Sequence, residues 1–277
     1  METLKKKTHL LILAMFCMVW LSLLSKTVKG DEKFNYDPCS KKGPKYWGEL
    51  KKEWEICKKG KIQSPISLSK WTADYYYEAF SDLTIDHIPA KAYLNNDGHE
   101  IIVDWSTGNA GSIKINNMDY QLQNFHWHHP SEHTLDGKTY PLELHMVHMN
   151  IATNDKAVVG VVFEYGRPDP FISLIEKDIK DLDSEGDKKY LEKMDPRIAM
   201  VDGIRKYFRY IGSLTTPPCT EGVIWSVMEK VQTVSPDQVK ILKDAVKEEK
   251  NARPLQKVNG REVFYFDPSS RGSVAAE

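Results

Sequence analysis

The chain of 277 residues contains no Asn-x-Ser/Thr triplet, no internal repeat, no low-complexity tract and no Gly/Ser-rich linker. N-linked glycosylation is therefore not expected even on a secretory route, and nothing marks an internal domain boundary. An excess of one charge is lacking too. Lysine and arginine number 38 against 39 aspartates and glutamates, a formal net charge of −1. That balance leaves no electrostatic case for a nucleic acid or an anionic membrane surface as partner. With 41% hydrophobic and 28% charged residues, the composition is neither disordered nor fibrous, and one domain is the expectation.

Long hydrophobic runs are also missing. The longest, Leu10 to Leu24, has 15 residues, where a membrane-spanning helix wants about 20. It follows Lys5, Lys6 and Lys7, and Val28 and Gly30 stand at the minus-three and minus-one positions of a cut before Asp31. Residues 1–30 thus read as a secretory signal peptide rather than a retained anchor. Losing them removes five lysines and Glu2, so the mature chain carries −5. The expected product is a soluble, mildly acidic secreted protein with no stable membrane anchor, a monomer or a homodimer.

Cysteine is scarce, with four in all, and Cys17 lies in the signal. In an oxidising compartment Cys57 and Cys219 are candidates for one disulfide across more than 160 residues, stabilising by roughly 4 to 5 kcal/mol in the chain-entropy model. A Cys39 to Cys57 pairing stays open on this reading. A cysteine left over implies a buried free thiol or an intermolecular bridge.

What is present is mainly β. Short alternating or β-branched runs recur at Leu83 to Ile88, Glu100 to Trp105, Ser112 to Ile115, Tyr120 to His128, Leu142 to Asn150, Ala157 to Tyr165, Tyr207 to Leu214, Val223 to Val231 and Val263 to Phe266. Turn residues separate them, as in Asn95-Asn96-Asp97-Gly98 and Asp136-Gly137. Helical signals are few. The clearest has Ser235 as N-cap, Pro236 at the first helical position, Gln238 completing a capping box, and Val239, Leu242 and Val246 on one face. A second, weaker helix is expected over about Pro170 to Leu182. The tail at 269–277 reads as disordered.

Imidazole is concentrated. Six of nine histidines fall between positions 126 and 148, four of them in Asn124 to Thr134, "NFHWHHPSEHT". On a strand alternate residues share a face, so His126 and His128 point one way while Phe125 and Trp127 point the other. On the next strand His145 shares a face with Glu143 and Val147, and His148 faces oppositely. If the two strands pair, His145 completes a three-nitrogen site with His126 and His128. Three protein ligands with an open position are the arrangement of catalytic zinc. Glu143 is placed to fix the tautomer of a ligand histidine, and no cysteine stands in the cluster to close a structural site.

"FHWHHPSEHT", then "ELHMVH", and much later "GSLTTPPCTEGVIW" together resemble the α-class carbonic anhydrases. The likeness runs from "YWGEL" and "QSPI" to "NARPLQ", nearly the whole mature chain, taken as residues 31–268. The resemblance implies one domain around a large, twisted, mostly antiparallel β-sheet of about ten strands with a few short peripheral helices, and zinc as cofactor. The implied activity is reversible hydration of CO2 to bicarbonate and a proton, by attack of a zinc-bound hydroxide with histidine-mediated proton transfer. A Cys57–Cys219 bridge and a signal peptide are most similar to the secreted plant branch. That branch implies an extracellular or apoplastic location, or a plastid reached through the secretory route.

The family's roles fall on matching positions. His126, His128 and His145 match the zinc ligands. Thr215 matches the threonine that accepts a hydrogen bond from the zinc hydroxide and donates its own proton to a buried carboxylate, here Glu132. Val147, Val158, Leu214, Val223 and Trp225 match the apolar wall that receives CO2, where hydrogen-bonding groups would only hold water. The Thr215 N–H would orient a substrate oxygen, and Thr216 would contact bicarbonate at the rim. His99, expected to be exposed and mobile after Gly98, matches the proton shuttle, with Tyr36 and Asp97 ordering the bridging waters. The acceptor for His128 would be the backbone carbonyl of Asn251.

Two departures stand out. Asn124 replaces the usual glutamine that receives the first ligand histidine, so its shorter amide is expected to reach less far or through a water. Ile102 replaces a polar residue on the cleft wall. His129, His133 and His148 are not assigned as ligands, and His133 is expected to hold a structural hydrogen bond. Two other readings compete. One is a catalytically weak storage or binding protein on the same fold. The other is a cupin, for which "PLELH" lacks the required glycine.

Overall fold

The computed structural model describes residues 33–75, 83–200 and 206–267. The signal peptide expected at 1–30 and the tail expected at 269–277 lie outside the described residues. All the described strands and helices belong to the unit that begins at Phe34.

Its strands are β1 (Ser67–Leu68), β2 (Asp74–Tyr75), β3 (Thr84–His87), β4 (Ala90–Asn96), β5 (Ile101–Asp104), β6 (Gly111–Ile115), β7 (Met118–His128) and β8 (Thr134–Leu135). They continue as β9 (Leu142–Met149), β10 (Lys156–Tyr165), β11 (Lys188–Met194), β12 (Tyr207–Ser213), β13 (Glu221–Met228), β14 (Gln232–Val234) and β15 (Phe264–Phe266). Helices are short: α1 (Trp47–Leu50), α2 (Ile56–Lys59), α3 (Pro170–Lys180) and α4 (Pro236–Val246).

Thirteen strands form one sheet around the path β11-β4-β5-β7-β9-β10-β13-β12-β15-β2, with β6 and β3 branching from β7 and β14 from β10. Within this sheet pairing is antiparallel except at β10–β13, β10–β14 and β15–β2, and β1 and β8 pair in parallel as a separate two-stranded sheet. The mainly β, mostly antiparallel expectation therefore holds.

The sheet's two faces hold two apolar cores. One takes Phe125, Trp127, Leu144 and Met146 from β7 and β9 and packs them against Phe171, Ile172, Ile175 and Ile179 of α3 and Val239, Leu242 and Val246 of α4. The other takes Val158, Val162, Val223, Trp225 and Val227 with Phe208 and Tyr210. Both helices start where the side chains dictate. Asp169 accepts the Ile172 N–H at 2.8 Å ahead of Pro170, and Ser235 and Gln238 make the expected capping box. Gln238 also ties the two starts together: its Oε1 accepts the Asp169 N–H at 2.7 Å and its Nε2 donates to the Asp169 carbonyl at 2.9 Å. Satisfied in this way, a buried amide fixes two helix ends that would otherwise leave orphan donors.

Several boundaries differ from the expectation. β4 and β11 were not anticipated, and β13 runs Glu221–Met228 rather than Val223 to Val231. Asn95 and Asn96 end β4, and the bend falls on Gly98 and His99. Gly98 takes the left-handed region at φ +90°, a conformation that costs glycine little.

Candidate metal centre

β7 and β9 are antiparallel neighbours, and His126 lies directly across from His145. Side-chain parity therefore does what the strand period requires. The rings of His126, His128 and His145 gather with centroids 4.6 to 5.2 Å apart, while Phe125 and Trp127 go to the helix-covered core. Each ring has one nitrogen already bonded. His126 Nδ1 meets Asn124 Oδ1 at 2.9 Å, His128 Nδ1 meets the Asn251 carbonyl at 2.8 Å, and His145 Nε2 meets Glu143 Oε1 at 2.9 Å. Each acceptor fixes the N–H on that side, so the lone pairs of His126 Nε2, His128 Nε2 and His145 Nδ1 are left for a common point. Asn124 thus reaches its histidine directly, contrary to the expectation of a weaker or water-mediated contact. It lies two residues before His126 on the same face of β7, just after the register against β9 shifts between Leu122 and Asn124.

Glu143 anchors the floor. Its Oε2 accepts the backbone N–H groups of Glu132 and His133 at 2.9 and 2.8 Å, and its Oε1 accepts from His133 Nδ1 at 2.7 Å as well as from His145. Burial alone would raise this carboxyl, but His133 and His145 hold it well below the usual range. His133 passes the chain on to the Tyr210 hydroxyl at 2.7 Å, the structural role expected of it. Among the described residues two groups have metal-ligand spacing, His126/His128/His145 and His133/Glu143/His145. In the second, the close atoms are hydrogen-bonded to one another, so only the first offers free lone pairs. Burial, with the neighbouring rings, holds His126 below its ordinary pKa, and burial does the same at His145. Neutral imidazole is the form a metal needs. At His128 burial pulls down but Glu132 and Glu100 outweigh it and raise the ring.

A cation fits this donor set. His128 Nε2, Glu132 Oε2 and Glu100 Oε1 are all buried and lack any hydrogen-bond partner, and the two oxygens lie 3.7 and 3.6 Å from that nitrogen. Glu132 Oε1 accepts the Arg253 N–H at 2.7 Å, while Oε2 lies 3.7 Å from His128 Nε2 and 4.0 Å from His145 Nδ1. The hydrogen bond implied from the Thr215 hydroxyl to Glu132 is not made, because this second oxygen turns toward the rings. Thr215 itself is buried, in the turn after β12. That turn is closed by the Cys219 N–H on the Thr216 carbonyl at 2.9 Å and clamped by the Cys57–Cys219 disulfide. Cys39 is free and exposed, which settles the pairing left open and corrects the buried alternative.

The apolar residues assemble beside the rings. Val158 stands across from Val147 on β9 and Trp225 on β13, and the Trp225 ring lies 4.8 Å from that of His145. Val147 and Leu214 are partly open where Val158, Val223 and Trp225 are buried. His99 departs from the expectation. Its side chain is only 17% exposed, its ring stacks on Phe34 at 4.3 Å, and its Nδ1 lies 3.6 Å from Glu248 Oε1. Tyr36 is buried against the same aromatic group, and burial holds its phenol well above the ordinary range. Asp97 is exposed, and its Oδ1 is occupied by the His99 and Glu100 N–H groups at 2.8 and 2.7 Å. It shapes the turn that carries His99.

Two residues, Arg253 and Glu100, were missed from the sequence, and Asn251 was expected for its carbonyl alone. Asn251 contributes more than a carbonyl: its Oδ1 accepts the His129 N–H at 2.7 Å, and its Nδ2 donates to the His99 and Trp127 carbonyls at 2.8 and 3.0 Å. Arg253 reaches the carbonyls of Ser64 and Cys57 at 2.8 and 2.9 Å. Glu100 is 6% exposed with its carboxyl pushed up to about 8, first by burial, with Asp97 and Glu132 adding and His128 opposing. Parity offered a signal for it: Glu100 shares a face with Ile102, which pairs with His126.

Comparison with known proteins comes down on one family. Its sequence profile, described as eukaryotic-type carbonic anhydrase, matches residues 42–267. Alpha carbonic anhydrase 7 of Arabidopsis thaliana is 46% identical over 244 residues, 87% of each chain. Dioscorin dioA3 of Dioscorea japonica is 43% identical over 262 residues, 94% of each. A solved structure of dioscorin complexed with ascorbate superposes with TM-score 0.81 at 44% identity, covering 85% of this chain and 98% of that one.

Proposed function

The chain belongs to the eukaryotic-type carbonic anhydrase family, and from that membership we propose that it catalyses the reversible hydration of CO2 to bicarbonate and a proton. One observation carries the reading: three imidazoles whose outer nitrogens are bonded to Asn124, Asn251 and Glu143 turn their other nitrogens to one point. These would hold zinc, the cofactor on which the family depends. When bound, zinc lowers the pKa of water from about 15.7 to about 7 and so supplies hydroxide at neutral pH.

The protein's part is orientation and proton handling. In the working site the Thr215 hydroxyl would accept from the attacking oxygen and donate to Glu132 Oε2, a hydrogen bond this structure does not make. Val147, Val158, Leu214, Val223 and Trp225 keep a dry wall on which apolar CO2 can rest. The Thr215 N–H orients a substrate oxygen, and Thr216 meets bicarbonate at the rim. His99 takes the released proton outward, with Glu248 Oε1 3.6 Å from its Nδ1, and Tyr36 orders the intervening water. The working unit is residues 31–268, made with a signal peptide and delivered through the secretory pathway to the outside of the cell or a plastid.

Zinc content and CO2 hydration, measured beside His126→Ala and Thr215→Ala, test this. The wild type should carry zinc and hydrate CO2. His126→Ala should lose both, and Thr215→Ala should keep zinc and lose rate. A metal-loaded wild type without hydration above background would favour the second reading, a binding protein on this fold, for which the ascorbate complex of dioscorin is the supporting observation.

A further inference from the structure

His99 is held more closely than a swinging proton carrier would be. Its N–H donates to Asp97 Oδ1 at 2.8 Å and its carbonyl accepts from Asn251 Nδ2 at 2.8 Å, so both sides of its backbone are fixed. The ring stacks on Phe34 with centroids 4.3 Å apart and meets Tyr36 at 6.0 Å in an edge contact. Nδ1 is buried and makes no hydrogen bond. A buried imidazole N–H needs an acceptor. Asp97 Oδ1 is already taken by the His99 and Glu100 N–H groups, and the charged group that faces Nδ1 is Glu248, with Oε1 3.6 Å away.

Glu248 is itself anchored. It follows α4 by way of Lys247, which turns the chain at φ +56°, and its carbonyl accepts from His129 Nε2 at 3.0 Å. The backbone is thereby tied to the residue after β7, while the side chain, 26% exposed, has His99 as its one ion-pair contact among the described residues. The gap is within ion-pair reach and about 0.7 Å beyond a hydrogen bond. Rotation about the last torsion of a glutamate is soft, so a small turn of the carboxylate closes it while the ring stays on Phe34.

We propose that Glu248 is the positioning residue of the proton shuttle: its carboxylate receives the Nδ1–H of His99 and pins the ring, so that this chain carries its proton on a fixed imidazole. The inference rests on the reading of His99 as the shuttle of a CO2-hydrating enzyme. With Nδ1–H held by the carboxylate, the lone pair left to take a proton is that of Nε2. A proton arriving there makes the imidazolium, and the same nitrogen gives it up to buffer. Nδ1–H stays in place throughout, so every cycle starts from the same tautomer and needs no ring flip.

Stopped-flow CO2 hydration by the zinc-loaded protein tests this at low and high buffer, for the wild type, His99→Ala, Glu248→Ala and Glu248→Gln, with the His99 ring tautomer read by nitrogen NMR. At low buffer, where export of the proton limits turnover, His99→Ala should lower kcat about 100-fold and Glu248→Ala about 10-fold. Both should leave kcat/KM unchanged, and added imidazole should restore both. Glu248→Gln keeps an accepting oxygen and should recover most of the rate. The neutral His99 ring should carry its proton on Nδ1 in the wild type and lose that bias in Glu248→Ala. A Glu248→Ala rate within about twofold of wild type at low buffer, a kcat/KM that falls in step with kcat, or an unchanged ring tautomer overturns the role of Glu248 and leaves the hydration reading standing. A metal-loaded wild type with no hydration above background overturns that reading, and the positioning role with it.

Discussion

Replacing Cys57 and Cys219 together by alanine removes a bridge between residues 162 apart in sequence. The chain-entropy relation gives about 5 kcal/mol for a loop of this length, drawn mostly from the unfolded chain. For a domain of this size each kcal/mol moves the melting temperature by about 2 to 4 °C, so the fall should be about 10 to 20 °C. Guanidinium unfolding of the oxidised wild type, the reduced wild type and the double variant measures it. The last two should coincide, and reductant should leave the variant unmoved. The bridge also joins α2 to the turn that carries Thr215 and Thr216, with Arg253 Nη2 on the Cys57 carbonyl and Gln63 Nε2 on the Cys219 carbonyl. Amide exchange should therefore rise first at 214–220. The metal ligands sit on β7 and β9, so zinc affinity should persist while turnover falls. Destabilisation below about 1 kcal/mol, or zinc lost in step with turnover, would refute the reasoning.

Three further outcomes are expected. Asn124→Ala removes the acceptor that fixes the His126 tautomer and should weaken zinc binding about 10- to 100-fold with little loss of fold stability, read by chelator competition. Asn251→Ala takes the side-chain partner from the His129 N–H and the His99 and Trp127 carbonyls, and at about 1 to 3 kcal/mol each should cost about 3 to 9 kcal/mol by urea unfolding. His87 is buried, its ring stacked on His148 with Nε2 atoms 3.0 Å apart, and burial lowers its pKa from 6.5 to about 4. Because the unfolded chain takes up that proton first, stability is full above about pH 6.5 and falls by about 3 kcal/mol as pH drops to about 4; a urea midpoint flat across that interval would contradict it.

Period and spacing account for most of what was legible in the sequence. Alternation on β7 and β9 separates His126, His128 and His145 from Phe125, Trp127 and His148 without knowledge of any partner strand, because a strand's faces are set by its own backbone. The capping box at Ser235 is equally local. β4 and β11 were hidden for the converse reason. β4 buries only Ala92, Leu94 and Asn96 along its inward face, and β11, at the sheet's end, carries Lys188, Lys189 and Lys193, the charged composition that keeps an edge strand from pairing further.

The residues missed at the site are of a third kind. The Asn251 side chain and Arg253 act on His129, His99 and Glu132 from more than 100 residues away in sequence, through contacts that exist only once the chain has folded. A local pattern carries no trace of such a contact. Glu100 is different again, since its face was predictable and its burial was not. A glutamate at the end of a polar turn reads as solvated, and only the pairing of β5 with β7 turns it inward onto the histidines.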